Sequence, residues 1–247
     1  MTLLNELPMQ RLQIYLTAPY ACSYLPGREA RSQVVTPAHL IDTAAFSELA
    51  RHGFRRSGLY VYRPRCDACQ ACLPVRVPVA AFRPSRSQRR CQTRNADLAL
   101  RLLPLRFDEE HYRLYRRYQH SRHNGGSMDS DDREQYRDSL LTSQVDGALL
   151  EYRLDDRVVM VALIDRLLDG LSAVYTFFEP ELARRSLGVY GVLREIELAR
   201  RFGLAYLYLG YWIGESGKMR YKSDYRPLQV YRDGAWVDFA GHGVAAA

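Results

Sequence analysis

Three closely spaced cysteines form the first group of residues whose spacing suggests chemistry. Cys66, Cys69 and Cys72 make a C-x2-C-x2-C motif, while Cys22 and Cys91 stand apart in the chain. Thiolates at this spacing can surround one zinc ion or an iron–sulfur cluster. A closed four-sulfur site would need Cys22 or Cys91 as well, and we take Cys22 as the candidate. The alternative is a set of buried, reduced cysteines beside an RNA-binding loop, since five cysteines cannot all pair in a disulfide framework.

A second feature is a predicted helix start that carries positive charge. Arg184 and Arg185 precede Ser186, and Gly188 follows within the first turn. Free backbone N–H groups at such a start bind phosphate or another anion, and the arginines add charge. The alternative is a plain helix cap, in which the Ser186 side chain caps the helix and Gly188 packs against a sheet.

A third feature is a cationic and aromatic segment near the C-terminus. Lys218, Arg220, Lys222 and Arg226 interleave with Tyr221 after a glycine-punctuated loop. This mixture can bind phosphates and stack the bases of an unpaired RNA end. The alternative is a solvated loop with structural tyrosines.

The charge of the chain points in the same direction. The net charge is +7, and residues 51–106 contain thirteen arginines against two acidic residues, Asp67 and Asp97. Such a block suits a polyanionic partner, of which nucleic acid is the commonest. A bias towards arginine across the whole chain is the alternative, because Lys218 and Lys222 are the only lysines.

These features must be positioned by a mixed α/β fold. Hydrophobic periodicity predicts helices over 37–52, 108–123, 129–141 and 186–202. It predicts strands over 13–17, 58–63, 73–79, 98–103, 148–154, 158–164, 171–178 and 205–209, a terminal hairpin over 228–239, and a loop over 18–31. Residues 82–95 are interpreted as a basic connector. Two helices, three strands, a helix and a strand are the order of an N-acetyltransferase-like mixed sheet.

The predicted organisation has two regions. Residues 1–106 form a smaller N-terminal α/β region rich in cysteine and arginine, residues 107–240 form an acetyltransferase-like catalytic domain, and residues 241–247 form a frayed tail. No stretch of about 18 apolar residues predicts a transmembrane helix, and Met1–Arg11 is a poor signal peptide. We therefore expect a cytoplasmic protein with no membrane partner.

Several longer motifs, running in order over about residues 10–232, carry a family resemblance. They are Cys22-Ser-Tyr-Leu-Pro-Gly-Arg, Phe54-Arg-Arg-Ser-Gly, Tyr62-Arg-Pro-Arg-Cys-Asp-Ala-Cys-Gln-Ala-Cys, Cys91-Gln-Thr-Arg-Asn, Ser186-Leu-Gly-Val-Tyr, Tyr208-Leu-Gly-Tyr, Lys218-Met-Arg-Tyr-Lys and Tyr225-Arg-Pro. The chain resembles the arginyl-tRNA–protein transferase family. One departure is Leu25, where eukaryotic relatives carry a second cysteine, so the metal or iron–sulfur chemistry of the family does not transfer whole.

The resemblance implies a tRNA-dependent aminoacyltransferase that marks proteins for N-degron degradation. The details look like the bacterial branch, which moves leucine from Leu-tRNA to proteins that begin with Asp or Glu, without ATP or a required cofactor and without DNA as a partner. Alternatives are the same transferase using Arg-tRNA, an N-acetyltransferase using acetyl-CoA, and a non-catalytic RNA-binding module with a zinc knuckle.

Site residues can then be assigned as expectations. Arginine suits recognition of an acidic N-terminal residue, because its planar guanidinium binds carboxylates bidentately; the candidates are Arg76, Arg94 and the adjacent Asn95. Catalysis is assigned to Tyr208, Lys218 and Ser186, and an apolar leucine pocket to Phe177, Phe178 and Trp212. The tRNA-binding residues would be Arg184, Arg185, Gly188, Lys218, Arg220, Tyr221, Lys222 and Arg226.

Overall fold

The computed structural model describes residues 12–122 and 132–240. The predictions for Met1–Arg11, for the end of a helix at His123 and for the tail 241–247 lie outside these residues. The strands are β1 (Gln13–Leu16), β2 (Tyr20–Ala21), β3 (Glu29–Ala30), β4 (Ser32–Thr36), β5 (Arg55–Ser57), β6 (Tyr60–Pro64), β7 (Leu73–Pro78), β8 (Ala99–Pro104), β9 (Gly147–Leu154), β10 (Arg157–Arg166), β11 (Gly170–Phe178), β12 (Tyr206–Trp212), β13 (Gln229–Arg232) and β14 (Ala235–Asp238). The helices are α1 (Thr43–Arg51), α2 (Arg86–Arg94), α3 (Glu109–Arg122), α4 (Arg133–Tyr136) and α5 (Leu187–Arg201).

An eight-stranded mixed sheet organises the fold, in the order β14-β13-β7-β12-β11-β10-β9-β8. Strands β11 and β12 run parallel, with α5 as their crossover connection, whereas the neighbours on both sides pair antiparallel. The predicted large mixed α/β sheet is therefore confirmed.

The alternation of side chains along β10 explains why helices cover both faces of this sheet. Met160 and Ala162 point into a core cluster with α5, while Val161 and Leu163 point into a second cluster with α3. Every position from 158 to 165 is buried, as expected for a central strand with apolar layers on both sides. We call the α5 side the groove face and the opposite side the tyrosine face, for reasons given below.

The N-terminal residues build a second, four-stranded sheet with the order β1-β4-β6-β5. Helix α1 connects it to the tyrosine face through a third core cluster, in which Phe46 and Val61 pack with Tyr208 of β12. The large sheet crosses the predicted boundary at residue 106, because β7 pairs with β12 and β13, and β8 pairs with β9. The two-domain division stays a prediction.

Two local predictions were wrong, each through a missed local signal. The connector over 82–95 contains α2, which begins with a reciprocal capping box between Ser85 and Gln88. The single helix over 37–52 is a short 3-10 turn followed by α1, whose start is capped by Asp42. The helix predicted over 129–141 is present within the described residues as α4, which continues directly into a π-helical turn, Arg137–Leu141, while its predicted start over 129–131 lies outside them.

In the part of the chain that the structure describes, no helix is both long enough and apolar enough to cross a membrane.

Candidate active site

Strands β11 and β12 separate to leave a gap in the centre of the large sheet. They pair only over Gly170–Ser172 with Tyr206–Tyr208, although β11 continues to Phe178 and β12 to Trp212. Each of the two strands also has a break in register with its other neighbour. Between β11 and β10 the register shifts at Leu163–Ile164 of β10, and between β12 and β7 it shifts at Tyr208–Gly210 of β12. Bulges of this kind are concentrated next to active sites, because they redirect the backbone and free its polar groups.

Arg55 enters this gap from the tyrosine face. Its Nη2 donates to the carbonyl oxygen of Val174 in β11 at 3.1 Å. Its Nη1 lies against Gly210 of β12, where a Cβ atom would be only 2.5 Å away. Gly210 also has a φ of +76°, a backbone conformation that glycine adopts without strain. The guanidinium therefore lies between the two separated strands.

Two further ionisable groups are buried beside Arg55. Glu195 projects from α5 and is 1% exposed, and neither of its carboxyl oxygens has a hydrogen-bond partner in the described part of the chain. Burial raises its pKa to about 8, although Arg55 partly opposes that shift. Lys222 is 8% exposed and donates from Nζ to the Tyr211 carbonyl at 2.7 Å. Burial, with the charge of Arg55, lowers its pKa to about 7. Both groups therefore titrate near neutral pH.

On the groove face, a groove of about 890 Å³ opens at the start of α5. It is lined by α2, by the first turn of α5 and by the segment 221–226, and Ser186, Arg90, Arg94 and Arg226 contribute to it. The side chain of Tyr221, also in the lining, links the groove to the gap. The residue is 41% exposed, but its hydroxyl points inwards. Burial of that hydroxyl raises its pKa to about 12; Glu195 adds to the shift and Arg55 opposes it.

Helix α2 holds the start of α5 in place. Asn95, fully buried, donates to the backbone oxygens of Cys91 and Arg185 at 2.9 and 2.8 Å. The Cys91 thiol contacts the Ser186 carbonyl at 3.6 Å, and Arg94 donates to the Arg184 carbonyl at 2.6 Å. These contacts place Arg94 and Asn95 on the groove face, beside the predicted tRNA-binding residues.

Tyrosines line the approach to Arg55 on the other face. Tyr60 stacks on Tyr62 with ring centroids 5.4 Å apart, and Tyr62 lies 6.3 Å from Tyr211. Tyr24 also lies near Arg55, because the pKa of its phenol, which burial raises, is further raised by Tyr62 and lowered by Arg55. Tyr60 is 46% exposed whereas Tyr211 is buried, so these rings lead from the surface of the N-terminal sheet to the gap.

Among the predicted catalytic and carboxylate-binding residues, Arg76 and Tyr208 contact each other, away from Arg94, Asn95 and Ser186 on the groove face. Arg76 is 8% exposed, stacks on Tyr206 and Trp236 with distances of 3.5 and 4.3 Å to their centroids, and donates to Gln229 at 2.9 Å. Tyr208 accepts from Arg76 at 3.4 Å and donates to Asp169 at 3.0 Å. Both side chains therefore have partners within the core.

The other two predicted catalytic residues lie elsewhere. Ser186 adopts a left-handed conformation with φ of +55°, and its side chain caps no N–H in the described residues, so the alternative of a plain Ser186 side-chain cap is not observed there. Lys218 is exposed in the loop after β12.

The predicted tRNA-binding residues divide into exposed and buried ones. Arg184, Arg220, Tyr221 and Arg226 have exposed surface. Lys222 does not, because its ammonium group is inside the protein against Tyr211. We therefore correct the prediction that Lys222 contacts phosphate. Arg185 is held by Asp97 in a two-bond ion pair at 2.8 and 2.9 Å, and Gly188 packs close to Phe178.

The predicted leucine pocket is not a single pocket. Phe177 packs in the α3 cluster, whereas Phe178 and Trp212 pack with the α5 cluster. Successive residues of a strand point to opposite faces, so Phe177 and Phe178 cannot line the same cavity.

The cysteines of the N-terminal region are near one another but reduced. Cys22, Cys66, Cys69 and Cys72 are all free and partly exposed. Burial raises the pKa of Cys72 to about 12, and the other three thiols add to that shift. Within residues 12–122 and 132–240, no group of three or more His, Cys, Asp or Glu side chains is arranged to hold a metal ion.

Arg55 and Glu195 were missed from the sequence, although each left a signal. Glu195 is a carboxylate on the apolar side of α5, between Leu193 and Ile196; a charged residue at such a position is rarely buried without a role. Arg55 was one of thirteen arginines in a basic block, and some arginines of this block are buried and do not form part of a basic surface. For example, Arg56 is buried in an ion pair with Asp165.

The gap between β11 and β12 thus has a basic groove on one face of the sheet and a group of tyrosines around Arg55 on the other. Models of the arginine-tRNA-protein transferase C terminus and N terminus match residues 110–232 and 20–90. The chain therefore belongs to the arginine-tRNA-protein transferase family, and it is an aminoacyltransferase.

Similar proteins cover almost the whole chain. A protein of Thiobacillus denitrificans named aspartate/glutamate leucyltransferase is 64% identical over 94% of this chain and 97% of its own length. A Chromobacterium violaceum protein of the same name is 59% identical over 91% of this chain and 93% of its own length. Among solved structures, L-PGS from Bacillus licheniformis matches with a TM-score of 0.46 and 14% identity, covering 68% of this chain and 62% of that chain.

Proposed function

We propose that the protein transfers leucine from Leu-tRNA to the α-amine of proteins that begin with Asp or Glu. The names of the similar proteins support leucine as the donor residue and Asp or Glu as the acceptor. In the cell, this product would mark the acceptor for N-degron degradation.

The reaction is the aminolysis of an activated ester. The neutral α-amine, whose ordinary pKa is about 7.7–8.0, attacks the carbonyl carbon of the leucyl ester. A tetrahedral oxyanion forms, and the bond to the ribose oxygen then breaks. The amine nitrogen loses a proton and the ribose oxygen gains one. Because the leucyl ester is already activated, it supplies the driving force and no ATP is consumed. Holding amine and ester in line can supply roughly 7–11 kcal/mol of the barrier reduction.

The single observation that carries this proposal is the gap between β11 and β12, which has a basic groove on one face of the sheet and the Arg55 guanidinium on the other. We propose that the tRNA end lies in the groove at Ser186, with phosphates near Arg90, Arg94 and Arg226, and that Tyr221 directs the ester towards Glu195. The exposed Arg184, Lys218 and Arg220 would bind more distant phosphates, while Arg185 and Gly188 shape the start of α5.

The divergence of two parallel strands is also the reason for proposing an N-acetyltransferase-like fold. In that arrangement the donor reaches the gap past the first turn of the crossover helix, and the acceptor arrives from the opposite face. The basic groove at the start of α5 supports this placement, since backbone N–H groups at a helix start favour phosphate.

Lys222 and Glu195 are the proton-handling groups that we propose, in place of Tyr208, Lys218 and Ser186. Lys222 with a pKa of about 7 is partly neutral at cellular pH, while Glu195 with a pKa of about 8 is mostly protonated. Groups that titrate near the working pH make effective general acids and bases. No step uses the four cysteines, and metal analysis of the purified protein would test zinc or iron–sulfur there.

The test is a transfer assay with purified protein. Leu-tRNA, Arg-tRNA and acetyl-CoA would each be offered with peptides starting with Asp, Glu, Lys or Ala. We expect leucine on the Asp and Glu peptides and no transfer from acetyl-CoA. Arginine transfer would replace the donor assignment, and acetyl transfer alone would overturn the proposal.

A further inference from the structure

We infer that Arg55 is the specificity-determining residue that binds the side-chain carboxylate of the acceptor's N-terminal residue. This inference rests on the proposed function, because it names the group that selects the acceptor in the same gap. Neither the family descriptions nor the names of similar proteins assign a role to this residue.

The first support is that Arg55 has binding capacity to spare. Its Nη1 is buried, and it has no hydrogen-bond acceptor among the described residues. The one hydrogen bond described for its side chain goes to the neutral carbonyl of Val174, and none of the carboxylates in residues 12–122 and 132–240 accepts a hydrogen bond from it. A buried guanidinium without an anion is costly, so an arriving carboxylate would be bound strongly.

The second support is the charge of the surroundings. The neighbouring Lys222 adds positive charge whenever it is protonated, and Glu195 does not offset it near pH 7 because burial keeps that carboxyl mostly neutral. The phenols of Tyr24, Tyr62 and Tyr211 also stay neutral, since burial raises the pKa of each. Asp165, the other carboxylate that interacts with Arg55, is already paired with Arg56. The gap therefore retains a positive charge on Arg55 that no described carboxylate neutralises through a hydrogen bond.

The third support is the direction from which Arg55 is reached. The residue belongs to β5 of the N-terminal sheet and lies beside Tyr62 and Tyr24, at the inner end of the tyrosine approach. The groove proposed for the tRNA end is on the other face. A short acidic side chain arriving from the tyrosine face would meet the unpaired Nη1 and the phenols of Tyr24 and Tyr62, whose hydroxyls can donate hydrogen bonds.

The alternative arginines of this region are already engaged. Arg76 is enclosed by Tyr206 and Trp236 and bonded to Gln229. Arg56 is paired with Asp165 inside the protein. Neither can accept a new carboxylate without losing the partners that hold it.

The experiment measures kcat/KM for leucine transfer to four peptides that start with Asp, Asn, Glu or Gln and are otherwise identical. Asn and Gln keep the shape and remove the charge. In Arg55→Gln, transfer to the Asp and Glu peptides should fall by about 100-fold or more, because one buried hydrogen-bonded charge pair is lost. Transfer to the Asn and Gln peptides should change by only a few-fold, so that the Asp/Asn ratio collapses.

Equal losses for all four peptides would overturn the inference, because they would indicate a role for Arg55 in stabilising the tetrahedral oxyanion. Arg55→Lys provides a second variant if the glutamine variant folds poorly. It keeps the charge without the planar fork, and a reduced Asp/Asn ratio is again expected, whereas an unchanged ratio would count against the inference. Arg76→Gln is the matched control and should lower all four values by the same factor.

Failure of the inference is distinguishable from failure of the proposed function. In the latter case the unmodified protein would transfer leucine to none of the four peptides. The affinity for Leu-tRNA, measured by filter binding, should be the same for Arg55→Gln as for the unmodified protein, because the groove is on the other face of the sheet.

Discussion

The two faces of the central sheet approach the same gap with different chemistry. The groove face presents exposed arginines and the free N–H groups of a helix start, whereas the tyrosine face presents neutral phenols around one guanidinium. Exposed cations suit a long polyanion, since many weak contacts add up. A single buried cation suits one carboxylate, because its strength depends on exclusion of water. The difference shows how one fold can keep donor binding and acceptor selection apart.

The largest effect is expected from displacing Arg55, the residue that lies between the two faces. In Gly210→Ala the new Cβ would lie 2.5 Å from Arg55 Nη1, on a backbone with φ of +76°. Transfer should fall by at least about 100-fold, and the free energy of unfolding should drop by about 1–3 kcal/mol. Transfer kinetics and urea denaturation would measure both.

Gly203→Ala is the matched control for this substitution. Gly203 also has a positive φ, of +68°, but a Cβ there meets nothing within 4 Å. It should lose about 1 kcal/mol of stability and keep its activity. Full activity in Gly210→Ala would contradict the prediction that transfer depends on the observed position of Arg55.

The charge state of Glu195 offers a second test. Its pKa rises from 4.5 to about 8 on folding, so the folded state binds the proton more tightly than the unfolded state. The contribution of this tighter proton binding to the free energy of unfolding is complete below pH 4.5 and is lost as the pH rises to 8. Glutamine cannot ionise, so in Glu195→Gln the free energy of unfolding should decrease by a few kcal/mol less between pH 5 and 9 than in the unmodified protein. This difference is on the order expected from the pKa shift. Urea denaturation across this range is the measurement, and an unchanged slope would contradict the assignment.

Removal of one groove cation should have a moderate effect that is confined to the donor. Arg90→Ala should weaken Leu-tRNA binding by about three- to tenfold and lower its salt dependence by about one charge. The KM for the acceptor peptide should not change. Arg201→Ala, exposed at the far end of α5, is the control. If both variants bound Leu-tRNA with equally reduced affinity, the result would contradict the placement of the tRNA end in the groove.

The smallest expected effect belongs to the outer end of the tyrosine approach. Tyr60 is 46% exposed and stacks on Tyr62. Tyr60→Ala should raise the KM for an acidic peptide by about two- to fivefold, consistent with the modest energy of one exposed aromatic contact. Binding of Leu-tRNA should be unaffected. A weakened tRNA affinity would instead place the RNA on this face.

The sequence by itself determined the mixed α/β class of the fold. Strongly apolar strands such as β10 and the amphipathic α5 were predicted close to their observed bounds, because hydrophobic periodicity is a local property. The groove at the start of α5 includes Ser186, Tyr221 and Arg226 from the predicted tRNA-binding region, but its other arginines, Arg90 and Arg94, come from α2. The capping box of α2 was equally local and was overlooked.

Only the tertiary structure decided which charged residues are inside. Arg55, Arg56 and Arg76 look alike in sequence, yet one faces a gap, one is paired with Asp165 and one is stacked between aromatic rings. Lys222 appeared to belong to a surface segment and proved to be buried against Tyr211. Burial depends on contacts between residues far apart in the chain, and burial is what moves the pKa values of Glu195 and Lys222 towards neutrality. The separation of β11 and β12, which creates that environment, is likewise a property of the assembled sheet.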